Sequence, residues 1–193
     1  MEDVNEEHYL FVKRVMQFQN IRTVYTDLLT GHYVPSLGAK RVEEIQEADS
    51  TITTEVVPTM MFVLFSFFFS LVEDSADGMD AFRIWRKKYP DEEQAIAALE
   101  ALVKPLRNDL RFFRNRLGFH GSRSHAKESK GFELFGNHSG DYVMQIMTRF
   151  TSLNAGFLMK DTAERNDSEE DRRKARSWID VNIERCAAMT KSS

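Results

Sequence analysis

The sequence predicts an all-α fold, a helical bundle of about five to seven helices in a single domain spanning residues 1–193. Apolar residues recur at spacings of three and four along most of the chain, which is the periodicity of an amphipathic helix. Residues that break helices are scarce, with nine Gly and four Pro in 193 residues. A long charge-free segment near residue 60 suits a helix at the centre of a bundle.

The first predicted helix spans residues 3–30 and begins in an acidic turn, as expected for a helix N-terminus. One polar residue, Arg22, interrupts its apolar face. The residues of that face are Phe11, Val15, Phe18, Tyr25 and Leu29. Gly31 and Pro35 then break the pattern, and a polar helical segment is predicted over about 37–49.

The segment Val56–Val72 contains no charged residue in 17 positions. It lies at the lower length limit for a membrane span and has acidic residues at its ends rather than basic or Trp anchors, so we expect no membrane insertion. Pro58 suits the first turn of a helix. A helix that is apolar all round is typical of a bundle centre, or of a surface shared between a core and a homodimer interface.

The second half of the chain predicts further helices separated by clear breaks. Three of them are expected over 77–88, 141–162 and 169–189. Another starts at Pro90, and Pro105 either kinks it or begins a new helix that ends near Leu117. Ser168 with Asp171 resembles the start of a capping box for the last helix. Residues 121–140 are rich in Gly, Ser, His and Lys and predict a long irregular loop, whose length is typical of functional loops.

The stretch from Leu106 to Gly121 contains the residues best suited to chemistry. Arg107, Arg111 and Arg114 form a basic stripe beside an apolar one, and His120 follows between two glycines that end the helical pattern. Arginine holds phosphate oxygens with a planar fork of donors, and histidine exchanges protons near neutral pH. The pair suits phosphodiester chemistry without a metal ion. The alternative is structural: a solvated basic face and a histidine that caps the helix end.

Positive charge is concentrated in the same region. The window 104–130 contains eight Lys or Arg and two acidic residues, a local charge of +6 that leaves the rest of the chain at −10, given the net charge of −4. A basic patch on an acidic body attracts a polyanion to one place, whereas the net charge argues against a protein that coats nucleic acid generally.

The segment Arg114-Asn115-Arg116-Leu117-Gly118-Phe119-His120 resembles the signature of the HEPN superfamily, an Arg followed by a polar residue and then, a few positions later, a His. Here five residues separate Arg114 from His120, and Asn115 is the polar second residue. The resemblance implies a small helical bundle that dimerises. It also implies a metal-independent endoribonuclease of toxin–antitoxin, abortive-infection or related defence systems. The segment around the motif resembles the abortive-infection branch.

The resemblance assigns roles to individual residues. His120 would assist proton transfer, Arg114 would stabilise the charge that develops on the phosphate, and Asn115 would orient one of these groups. The implied partners are RNA, a second copy of the chain, and an antitoxin or nucleotidyltransferase. In one branch that transferase modifies a Tyr two residues after the His, but Ser122 occupies the position here, so that regulation does not carry over. The basic patch itself adds Arg107, Arg111 and Arg123 as expected contacts to the RNA backbone.

Other interpretations stay open. The chain could be a non-catalytic module of the same family that binds RNA, nucleotide or protein, or a helical interaction protein in which Arg114 and His120 only cap and pair. A metal site formed by His120, His125, His138 and Asp141 lacks tight ligand spacing, so we expect no metal or other cofactor.

Two features of the sequence bear on where the protein resides. Cys186, the single cysteine, is expected to be packed rather than reactive and is consistent with a reducing compartment. The acidic N-terminus does not resemble a signal peptide, which makes cytoplasmic localisation the expectation.

Overall fold

A computed structural model of the chain describes residues 2–30, 56–74, 79–113 and 140–192. These residues form α1 (Glu2–Thr30), α2 (Val57–Val72), α3 (Ala81–Lys88), α4 (Glu93–Val103), α5 (Arg107–Phe113), α6 (Gly140–Arg165) and α7 (Glu169–Ser192). Within the described ranges there is no β-strand, which confirms the predicted all-α class. The predicted helix over 37–49 and the predicted loop over 121–140 fall almost entirely outside the described residues.

Most helix boundaries agree with the sequence periodicity. Pro58 lies in the first turn of α2, as predicted. The backbone N–H of Asp171 donates to the Ser168 hydroxyl at 3.2 Å, so Ser168 caps α7 as expected. The third helix, predicted over 77–88, starts later, at Ala81, because Asp80 adopts a left-handed conformation (φ 37°) and its carboxylate accepts from Arg83 N–H.

Pro90 and Pro105 each produce a short 3₁₀ turn in front of an α-helix. The turn Pro90–Glu92 precedes α4, and the turn Lys104–Leu106 separates α4 from α5. A proline lacks the N–H that an α-helix interior requires, so the chain tightens at each proline and then resumes helical geometry. Of the two alternatives left open at Pro105, the structure therefore selects a new helix.

The helices enclose one connected apolar core to which every described helix contributes. Trp85 of α3 lies at its centre, fully buried, with its ring 5.0 Å from that of Phe150 and 5.5 Å from that of Phe157. Phe11 of α1 meets the same indole edge-on at 5.6 Å. Aromatic pairs in this geometry stabilise a core beyond the burial of their area.

The charge-free segment lies within this core as α2. Phe65, Phe68 and Phe69 are buried, whereas Val56 and Val63 are 39% and 41% exposed. Among the described residues, no helix combines the length and the apolar character that crossing a membrane would require. The apolar composition of α2 is therefore explained largely by its packing against α1 and α5.

The last two helices form a hairpin that packs closely. A three-residue turn at 166–168 joins α6 to α7. At Gly156 of α6, an added Cβ would lie 3.0 Å from Cγ1 of Ile179 and 3.1 Å from Cδ1 of Trp178, so the absence of a side chain lets α7 approach. The Trp178 indole N–H also donates to the Ser152 carbonyl at 2.8 Å, which fixes the ring on the outside of the hairpin.

Candidate functional site

The structure describes two of the predicted site residues. Arg107 and Arg111 lie one turn apart on α5, immediately before the motif in the chain. Arg114, Asn115, His120 and Arg123 lie in the range 114–139, outside the described residues. The alternative metal ligands His125 and His138, and the side chain of Asp141, lie outside them too.

Both arginines of α5 are engaged in ion pairs. Arg107 Nη1 lies 3.1 Å from Asp74 Oδ2 and its Nη2 lies 3.3 Å from Glu100 Oε1. Only 12% of the Arg107 side chain is exposed, and its guanidinium also lies over the Phe82 ring at 5.6 Å. Arg111 Nη2 is 3.4 Å from Asp74 Oδ1, with 46% of its side chain exposed. Of the three predicted RNA contacts, Arg107 and Arg111 are described, and Arg111 is the more accessible of these two.

The ion pairs continue from α5 into α3 and α4. Arg86 of α3 donates to both carboxylate oxygens of Glu93 and to Glu100 Oε2 at 2.6 Å. These hydrogen bonds raise the pKa of Arg86 above its already high value. The three arginines and the three carboxylates Asp74, Glu93 and Glu100 sum to zero formal charge. The network joins α3, α4 and α5 to the segment that follows α2. Because its formal charge is zero, it contributes little electrostatic attraction for a polyanion.

A second polar cluster, which the sequence did not predict, joins α1 to α6. The Tyr89 hydroxyl donates to Asp161 Oδ2 at 3.0 Å and lies 3.2 Å from Nε2 of His8, which is 8% exposed. Since the tyrosine proton is committed to Asp161, His8 donates from Nε2 to the tyrosine oxygen. The cluster borders a surface cavity of about 530 Å³ that Lys88 and Arg165 also line.

Burial governs the titration of this second cluster. Desolvation lowers the pKa of His8, and Lys88 lowers it further while Asp161 opposes both effects. Desolvation and the neighbouring Asp161 carboxylate raise the pKa of Tyr89 far above its usual range. Both groups are therefore neutral at physiological pH. The Tyr89 ring also stacks on Phe157 at 4.4 Å, so the cluster is anchored in the core.

The sequence offered little signal for the second cluster. The sequence analysis did not single out His8, and the one available signal was its position three residues before Phe11 on the same helix face. Its partners come from positions 81 and 153 residues further along the chain, and periodicity does not pair such distant residues.

Glu92 forms a third polar cluster between the 3₁₀ turn before α4 and the α6–α7 hairpin. Its carboxylate is 5% exposed and lies 2.7 Å from Lys160 Nζ and 3.1 Å from Arg176 Nη1. A buried carboxylate is stable in a fold only when it is paired in this way. Glu92 therefore stabilises the packing of the hairpin and leaves no free group for chemistry.

Cys186 of α7 is packed, as the sequence predicted. It is fully buried, and desolvation raises the pKa of its thiol to about 11, with Arg149 acting in the opposite sense. The thiol is protonated at neutral pH, and a protonated thiol is a poor nucleophile. This environment excludes Cys186 from nucleophilic catalysis.

Comparisons with known proteins give no further assignment. The chain matches no protein-family model, no curated protein and no solved structure.

Proposed function

We propose that the chain is a metal-independent endoribonuclease of the HEPN type. The observation that carries the proposal is the spacing of Arg114, Asn115 and His120, in a chain whose described residues form an all-α fold. His120 takes a proton from the attacking ribose 2′-hydroxyl or gives one to the leaving oxygen. Arg114 binds the scissile phosphate and stabilises its developing negative charge.

Anchoring of α5 supports this arrangement. The helix is held to Asp74 by Arg107 and Arg111, and the neighbouring face, with Leu110 and with Leu106 of the preceding turn, is buried. The motif follows Phe113 directly, so the chain enters it from a fixed helix. A catalytic pair needs such a rigid base because small errors in position lower the rate steeply.

The site is proposed to be composite, with two copies of the motif facing each other across a homodimer. Exposure of Val63 on α2, and of Val56 directly before it, supports a contact surface for a second copy. A cytoplasmic role in a toxin–antitoxin or abortive-infection system, with an antitoxin as partner, belongs to the same proposal. Light scattering of the purified chain tests the dimer, and a stable monomer at micromolar concentration contradicts it.

A cleavage assay on total RNA in excess EDTA tests the activity. We expect cleavage to survive the chelator and the products to carry 2′,3′-cyclic phosphate ends. His120→Ala and Arg114→Ala should each lower the rate by about 10²–10⁴-fold. The double variant should lose little more than the worse single one, since both groups serve one transition state. Arg116→Ala is the matched control and should lose far less.

The alternative is a non-catalytic module of the same type that binds RNA, nucleotide or a protein partner. Neutralisation of Arg107 and Arg111 by Asp74 and Glu100 leaves less free positive charge beside the motif, which favours the protein-binding form of this alternative. Retention of RNA binding without cleavage would establish this alternative. Loss of cleavage in EDTA, or full cleavage by His120→Ala, would overturn the catalytic proposal.

A further inference from the structure

The α6–α7 hairpin carries a small cationic groove on its outer surface, which none of the preceding assignments uses. The groove has a volume of about 170 Å³ and is lined by Arg149, Ser152, Trp178, Val181, Asn182 and Arg185. None of these residues is acidic. Arg185 is exposed and Arg149 is half-buried. Trp178 and Val181 are 47% and 41% exposed, so the groove is open to solvent.

The two arginines of the groove have no carboxylate partner among the described residues, in contrast to those of α5. Burial and the nearby positive charge of Arg185 both lower the pKa of Arg149. A third guanidinium, that of Arg22, lies near Arg149, and within the described ranges it donates to the Thr148 and Thr151 hydroxyls and pairs with no carboxylate. Like charges that face each other without an acid favour the binding of an anion between them.

Asn182 gives independent evidence for a ligand. It is 2% exposed and lines the groove, and neither its side-chain nitrogen nor its oxygen has a hydrogen-bond partner in the part of the chain that the structure describes. A buried amide without partners is costly and calls for an explanation. Its N–H₂ is a donor for a phosphate oxygen, and its oxygen is an acceptor for a ribose hydroxyl or a base N–H.

The fourth component of the groove is a fixed aromatic surface. The Trp178 indole is held by its hydrogen bond to the Ser152 carbonyl and by its contact with α6 at Gly156. Nearly half of the ring remains exposed beside the arginines. Single-stranded nucleic acids are bound by this combination of cations for the backbone and an aromatic ring on which a base stacks.

We propose that the groove between α6 and α7 binds a single-stranded nucleic acid, with a phosphate between Arg149, Arg185 and Asn182 and a base stacked on Trp178. No residue lining the groove titrates near neutral pH as a general base does, so the groove holds the strand without cleaving it. The ligand class follows from the groove itself. Only the preference for RNA over DNA rests on the proposed ribonuclease function.

The test is the fluorescence anisotropy of a labelled oligodeoxythymidylate with the full-length chain in EDTA. This probe lacks the 2′-hydroxyl, so binding is measured whether or not the protein cleaves RNA. We expect Arg185→Glu to weaken binding by about tenfold or more, and Trp178→Ala by about tenfold. Arg173→Glu is the matched control: an exposed arginine of α7 outside the groove, with the same charge change and near-parent affinity expected.

Asn182→Leu separates a binding role from a structural one. The leucine removes the unpartnered amide, so the melting temperature should rise by a few degrees while the affinity falls. A residue with only a structural role would not shift the two quantities in opposite directions. Two further probes are measured with the cleavage-deficient His120→Ala chain. The affinity for an oligouridylate tests the preference for RNA, and the affinity for an abasic oligomer tests base stacking.

Several results would overturn the proposal. The first is an undetectable affinity of the parent chain for the oligomer, and the second is an equal loss of affinity in Arg185→Glu and Arg173→Glu. The third is equal affinity for the abasic and the base-bearing oligomers. The fourth is conversion of a dimer to a monomer by Trp178→Ala with oligomer binding unchanged. The last result would assign this surface to self-association. Cleavage results in the separate EDTA assay leave these outcomes unaffected.

Discussion

Two pairs of arginines in this molecule face opposite electrostatic environments. Arg107 and Arg111 of α5 lie against Asp74 and Glu100, within a network whose formal charge is zero. Arg149 and Arg185 line a groove without an acidic residue, and their mutual repulsion contributes to lowering the pKa of Arg149. The sequence shows the first pair as a prominent basic stripe, whereas the second pair is separated by 36 positions.

The comparison shows that a dense run of positive residues does not locate free positive charge. Carboxylates from other segments pair with Arg107 and Arg111 of the basic stripe, whereas arginines distant in sequence form a cationic surface when the fold brings them together without acids. The first pair therefore stabilises the fold, and the second is available for a ligand. This distinction predicts different responses to substitution.

The largest effect is expected at Arg107. Arg107→Ala leaves Asp74 and Glu100 without their shared partner and removes the packing on Phe82, so the free energy of unfolding should fall by about 2 kcal/mol. Urea denaturation followed by circular dichroism measures the change. Arg173→Ala, which has no described ion pair, should change stability by less than about 0.5 kcal/mol. Equal effects at the two positions would remove the distinction between structural and free arginines.

A smaller loss is expected at Gly156, on which the groove depends. Gly156→Ala gains helix propensity but places a methyl group 3.0 Å from buried Ile179 and 3.1 Å from Trp178. Overpacking of this kind costs about 1–3 kcal/mol against a propensity gain of about 1 kcal/mol. Thermal denaturation should show a lower melting temperature for Gly156→Ala than for the parent. The same variant should bind oligodeoxythymidylate more weakly, because the added methyl group displaces Trp178. A gain in stability would mean that α7 moves freely at this contact.

The pH dependence of stability separates titrating groups from permanent charges. The folded chain holds the pKa of His8 below its ordinary value of 6.5, so the unfolded chain binds the proton more readily. The stability that His8 contributes is complete above that ordinary value and is lost as the pH falls through the folded pKa. As the pH falls below about 6.5, His8→Gln should show a shallower loss in the free energy of unfolding than the parent, because the glutamine side chain does not titrate. If the free energy of unfolding has the same slope against pH in both proteins, His8 is not the source of this pH dependence.

The smallest effect is expected at Arg185. Since no acid of the described segments pairs with it, Arg185→Ala should leave stability within about 0.5 kcal/mol of the parent or raise it slightly through relief of repulsion with Arg149. Added salt should reduce the difference in the free energy of unfolding between Arg185→Ala and the parent, because salt screens the repulsion between Arg149 and Arg185. A loss as large as that of Arg107→Ala would reveal an acidic partner for Arg185 and contradict the cationic character of the groove.

Much of the fold could be predicted from local patterns. Spacing in α1 placed Phe11, Val15 and Phe18 in the core, and they are fully buried. Ser168 and Pro58 marked helix starts because their effects depend only on neighbouring residues. The start of α3 was predicted too early, since the conformation of Asp80 overrides the propensity of the residues before Ala81.

The polar clusters could not be predicted in the same way. Asp74, Glu100 and Arg107 belong to three separate segments, and the Arg149 groove combines two helices with a buried Asn182. Such sites depend on the register between packed helices, which apolar periodicity does not specify. The catalytic roles of Arg114, Asn115 and His120, and the RNA contact at Arg123, stay predictions from the motif.

Burial of Cys186 supplies a natural reporter for motion of the α6–α7 hairpin. The chain has one thiol, it is inaccessible in the folded protein, and its pKa of about 11 keeps it protonated. A maleimide therefore reacts only when α7 detaches, so the labelling rate measures the opening equilibrium of the hairpin without any engineered residue. A strand bound in the adjoining groove should slow that reaction by the factor 1 + [L]/Kd, linking local unfolding directly to ligand occupancy.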